Sequence, residues 1–185
     1  MKTPVSYAEW VDSFEQFKAG ARDEEIILLM EQGHIEWTKG GAERLTQQLY
    51  ETIDYRLRKS SDQLQKELNL CNGNETALVK AILSARKRLA VLKRVAHLPA
   101  FPEQVRETMW KLLHDYAKSA QQSLEDSAVT DRTGRIRSLI RNNPMTQFDQ
   151  VENVFGITSQ TISNSNSSDS APKIGQKSGR RVILP

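Results

Sequence analysis

Between residues 75 and 97 the apolar side chains Leu78, Ile82, Ala85, Leu89, Leu92 and Ala96 follow one another at steps of 4, 3, 4, 3 and 4. This is the spacing of a heptad seam, a narrow apolar stripe that a lone helix cannot bury. A chain that carries it must wrap other helices around it, within itself or from a second copy. Lys80, Lys87 and Arg94 recur every seven residues and point roughly opposite the seam. Val79, Leu83 and Ala90 add a second apolar strip, so this helix is expected to touch more than one neighbour.

The rest of the first 130 residues supplies those neighbours. Ser6 and Glu9 have the spacing of a capping box. Tyr7, Trp10, Val11, Phe14 and Phe17 then recur at helical intervals, and Gly20 suits the helix end. A short helix over about 23–32 carries the apolar run Ile26–Met30, and Gly33 stops it. A long helix is expected over about 42–71, with Leu45, Leu49, Ile53, Leu57, Leu64 and Leu68 in one stripe and Ser60 as a small polar gap. Asn72-Gly73 ends it and Asn74 can cap the seam helix. Pro99 and Pro102 break the chain. A further helix over about 103–126 places Val105, Met109, Leu112, Tyr116 and Ala120 on one face. The expected fold is all-α: an antiparallel bundle of three long helices with a small N-terminal helical cap. Short C-terminal helices and a disordered tail follow. The regions divide as a cap over 1–41, a bundle and dimerisation region over 42–128, a helix-turn-helix candidate over 130–168 and a flexible basic tail over 169–185.

Composition narrows the function classes. Among 185 residues the single cysteine, Cys71, rules out an intrachain disulfide and a cysteine-rich zinc site. The longest apolar run, Ile26–Met30, is far below the ~20 residues of a membrane span, and the N-terminus has no signal-peptide core, so a cytoplasmic protein with no membrane insertion is expected. The net charge of +3 conceals an asymmetry: residues 1–41 carry −4, residues 74–98 carry +5 and residues 157–185 carry +3. An acidic head and basic segments permit head-to-tail contact or polyanion binding. The three histidines are scattered, and Glu31 with His34 has no second copy to complete a di-iron pattern. No Ser/His/Asp or Cys/His grouping can be assembled from the spacing. Neither enzymatic activity, a cofactor nor a metal is expected. Trp110 lies off its helix seam and is expected to pack under a neighbouring segment, with residues 1–37 the candidate cover.

From Asp131 the elements shorten. A helix over 132–142 would display Arg132, Arg135, Arg137 and Arg141. Thr146 can cap a helix over about 147–155, with Phe148, Val151, Val154 and Phe155 apolar. Gly156 ends it, and Thr158 can cap a third short helix. Helix, glycine turn and polar helix is the layout of a helix-turn-helix. Outward Thr158, Ser159, Gln160, Thr161 and Asn164 could hydrogen-bond base edges and phosphates, while the arginines grip the backbone. Arg180 and Arg181 would extend that grip as a basic arm.

Over about 132–172, the run Arg135-Ile136-Arg137, Met145-Thr146-Gln147, Val151-Glu152-Asn153-Val154-Phe155-Gly156 and Thr161-Ile162-Ser163 resembles the helix-turn-helix of Trp-repressor-like proteins. The resemblance implies a small module whose helix near 159–166 enters the major groove of double-stranded DNA. Asn164 stands where the repressor has an arginine that helps hold tryptophan, so no tryptophan site is implied.

The leading expectation is therefore a non-enzymatic DNA-binding regulatory protein that self-associates through its helical region, with Leu78, Ile82, Leu89 and Leu92 as the self-association seam. A helical adaptor that binds another protein through the bundle or tail is the alternative, and a self-assembling structural component the third.

Overall fold

The structure is a computed structural model that describes residues 2–35, 40–71, 73–128 and 133–150. The described residues form six α-helices and a short 3-10 segment, with no strand among them. The helices are α1 (Tyr7–Ala19), α2 (Asp23–Glu31), α3 (Gly41–Cys71), α4 (Glu75–Ala96), α5 (Glu103–Ser127) and α6 (Arg135–Asn142). The 3-10 segment is Met145–Gln150.

Local chemistry sets most of these boundaries. The Ser6 side chain accepts from the Glu9 N–H while the Glu9 carboxylate accepts from Ser6 N–H at 2.9 Å and Val5 N–H at 3.0 Å, which closes the expected capping box. Those backbone donors hold the Glu9 carboxyl below its usual range. Gly20 ends α1 at φ +78°, a left-handed conformation that costs a glycine little. The Asn74 side chain accepts from Ala77 N–H at 3.0 Å and starts α4.

Short turns fold α3, α4 and α5 back on one another as the bundle, and one continuous apolar core runs through it. The seam residues Leu78, Ile82, Leu89 and Leu92 are all buried in that core. The seam packs within this core against α3 and α5 of the same chain, and Leu78 at its end also borders an open cleft. α4 meets further neighbours, because α2, α6 and the 3-10 segment pack on it as well.

Two faces differ from the sequence reading. On α5 the fully buried positions are Met109, Leu113, Ala117 and Leu124, while Val105, Leu112, Tyr116 and Ala120 are only partly covered. The α5 surface is shared between α4 on one side and the 3-10 segment on the other, which rotates the centre of burial by about one residue. Trp110 is covered by the 3-10 segment rather than by residues 1–37: its ring lies 5.3 Å from that of Phe148 and 5.5 Å from that of His97.

The N-terminal helices seal one end of the bundle. Trp10, Phe14 and Phe17 are wholly buried, and Trp10 and Phe14 meet the Phe101 ring at 5.7 and 6.4 Å. Trp10 Nε1 donates to the His34 carbonyl at 3.0 Å. Two arginines tie this end down. Arg56 of α3 pairs with Asp23, donates to the Phe17 carbonyl at 2.8 Å and lies 4.5 Å over the Phe17 ring. Arg94 of α4 pairs with Glu31 at 3.0 Å and Glu24 at 2.6 Å, and the hydrogen bonds to Glu31 are the main reason its guanidinium is held more firmly protonated than usual. The acidic head and the basic α4 are thus partners within one chain.

Candidate binding cleft

Among the described residues the opposite end of the bundle is open. A cleft of about 620 Å³ lies where α3 and α5 part below Tyr116, between the C-terminal turns of both helices and the first turns of α4. Leu64, Leu68 and Leu78 line it from α3 and α4, and Ala120, Leu124 and Ile136 from α5 and α6. The mouth is polar but almost uncharged. On α3 it carries Ser61, Gln65 and Asn69, and on α5 Ser119, Ser123 and Ser127, each set at i, i+4, i+8. That spacing puts three hydroxyls or amides in a row along each wall. In a chain of which 26% is charged, Glu75 is the single charged residue among the described residues that line this cleft.

The wall groups are partly committed to the helices that bear them. The Ser123 hydroxyl donates to the Ser119 carbonyl at 3.0 Å and the Ser127 hydroxyl to the Leu124 carbonyl at 2.7 Å. Gln65 Nε2 donates to Asn69 Oδ1 at 3.1 Å. The two serine hydroxyl protons are used, and their lone pairs remain as acceptors. At the top of the cleft burial pushes the Tyr116 phenol up, against the pull of the neighbouring Ser61 and Ser60 hydroxyls. At its lower end the Cys71 thiol donates to the Glu67 carbonyl, and burial raises its pKa, so it remains a thiol and a poor nucleophile.

The sequence reading passed over this cleft. The serine spacing on α5 was readable, but nothing in a row of serines says that α3 stands opposite. Ser60, read as a gap, accepts from Arg88 Nε at 3.2 Å, and Arg88 also forks onto Glu67 at 2.9 and 3.2 Å. This bridge ties α4 to α3 beside the cleft.

The arginines expected to act together are divided. On α6, Arg135 is exposed and stands 4.0 Å from Glu75, and Arg141 is exposed. Arg137 instead turns inward, with Nη2 3.5 Å from the Ala128 carbonyl. Arg132, Thr158, Ser159, Gln160, Thr161, Asn164, Arg180 and Arg181 lie outside the described residues, as does the expected helix near 159–166. The first part of the expected 147–155 helix is not α-helical: Met145–Gln150 is a 3-10 segment, kinked at Gln147. The reason is tertiary. Met145 and Phe148 are both wholly buried, and the buried Arg86 donates to the Gln147 carbonyl. That carbonyl is accordingly turned to α4. Ile140, Met145 and Phe148 all belong to the bundle's own core.

His114 stacks on Trp110 with ring centres 6.0 Å apart, and Lys93 Nζ lies 5.6 Å from the Trp110 centroid. His97 caps α4 with Nδ1 3.0 Å from the Lys93 carbonyl. Among the described residues no cluster of His, Cys, Asp or Glu is placed to hold a metal ion, and no helix is long and apolar enough to cross a membrane. Comparison with protein-family models, with curated proteins and with solved structures finds no match for this chain.

Proposed function

We propose that this chain is a non-enzymatic regulatory binding protein and that the cleft between α3 and α5 is its binding site. The observation that supports this reading is the cleft itself: about 620 Å³ of apolar-floored space with hydrogen-bonding walls, within the ~300–1,000 Å³ typical of ligand sites. The Arg88 fork ties α4 to α3 beside it, which holds that wall in place before anything binds. The neutral dye Nile red tests it. The native chain should raise the dye's emission, and Ala120→Phe, which fills the cleft, should abolish most of the rise. Unchanged emission from a folded Ala120→Phe chain would overturn the assignment.

A second reading, contact with duplex DNA, is supported by α6, which presents the exposed Arg135 and Arg141 on a helix docked against α4 and α5. It predicts a low-salt shift of duplex DNA that weakens in Arg135→Ala/Arg141→Ala and falls steeply with salt. Absence of any shift at low salt removes it.

A further inference from the structure

From the hydroxyl and amide walls, we infer that the cleft takes an uncharged amphipathic small molecule: an apolar tail against Leu64, Leu78 and Leu124, and a neutral head with hydroxyl or amide donors. The inference rests on the cleft being the binding site and adds the class of ligand.

Three observations carry it. The first is charge. Among the described residues the two walls that a head would meet, Ser61, Gln65 and Asn69 on one side and the three α5 serines on the other, are neutral, so a charged head gains no counter-ion from them. Glu75, the one charged residue of the lining among those described, already faces Arg135 at 4.0 Å. The second is hydrogen-bond direction. Because Ser123 and Ser127 donate to their own helix, they offer lone pairs to an incoming group. A neutral hydroxyl or amide can donate to the α5 serines and accept from the Gln65 and Asn69 amides across from them, whereas a carboxylate only accepts and an ammonium only donates, so each suits one wall alone. The third is size. The facing residues span Ser61 to Asn69, about 12 Å at 1.5 Å per residue, which suits a small molecule and is short for a partner helix.

The test uses the full chain and three ligands sharing an eight-carbon tail: 1-monooctanoyl glycerol, octanoate and octylamine, each below its aggregation limit. Binding is followed by amide chemical shifts. The neutral ester should move the amides of Ser61–Asn69 and Ser119–Ser127, with octanoate and octylamine weaker by about tenfold or more. Ala120→Phe should remove the shifts. Ser119→Lys, which changes the charge at the mouth and leaves the floor intact, should weaken the ester and strengthen octanoate. If octanoate or octylamine binds the native cleft as well as the ester does, the ligand class is overturned while the cleft remains a binding site. If no ligand moves these amides, or a folded Ala120→Phe chain binds all three unchanged, the cleft reading falls and the inference falls with it.

Discussion

The two ends of the bundle are built from the same helices and are finished in opposite ways. At the α1–α2 end, aromatic rings are driven into the core and two arginines each bridge separate elements. At the other end the walls are serines, glutamine and asparagine, and the space between them is left open. Apolar burial and large-ring packing stabilise; an open cleft with helix-weakening serines does not. Stability is therefore expected to concentrate at the α1–α2 end, a contrast that substitutions at the two ends can break.

The largest expected effect breaks the sealed end directly. Trp10→Ala removes a wholly buried ring and leaves the His34 carbonyl without its indole donor. A loss of about 3–5 kcal/mol is expected in chemical denaturation. A loss as large from trimming Ser123, at the open end, would erase the contrast.

Gly33→Ala probes the same contact from the other side. A Cβ at Gly33 would clash with Trp10 Cζ2 and Cη2, and the indole, pinned by its hydrogen bond to His34, has little room to retreat. Overpacking of this kind costs about 1–3 kcal/mol, read as a lower denaturation midpoint. An unchanged midpoint would mean that the sealed end can yield.

Arg94→Ala is a smaller change. It removes two carboxylate partners, but the ion pairs are partly exposed, with the Arg94 and Glu31 side chains 31% and 32% accessible. About 1 kcal/mol is expected at low salt, shrinking in 1 M salt as screening takes over. A loss independent of salt would assign the role of Arg94 to packing of its stem, not to charge.

The sequence spoke most clearly where the physics was local. Helix limits followed from caps that can be read residue by residue: Ser6 with Glu9, Gly20, and Asn74. The seam from Leu78 to Ala96 announced the bundle, because its periodicity demands partners, but not whose helices those partners would be. The misplaced features depended on distant neighbours. Phe148 and Gln147 are held by Trp110 and Arg86, dozens of residues away, and their pull outweighs the helical pattern over 147–150. The cleft was hidden for the same reason: Ser119, Ser123 and Ser127 acquire meaning only once Ser61, Gln65 and Asn69 stand across from them.

The smallest predicted effect has the opposite sign and sharpens the comparison most. Serine is a weaker helix former than alanine by about 0.5 kcal/mol, partly because its hydroxyl bonds back to the preceding turn, as Ser123 and Ser127 do here. All three α5 serines are exposed, so replacing them leaves no buried group unpaired. Ser119→Ala/Ser123→Ala/Ser127→Ala should therefore raise stability by about 0.5 kcal/mol per site. The same triple variant should bind 1-monooctanoyl glycerol more weakly, because the acceptors along one wall are gone. Gain in one property with loss in the other is what separates a wall kept for binding from one kept for folding. If the triple variant is instead destabilised, the hydroxyls hold the helix, and the two ends of the bundle differ in packing but not in purpose.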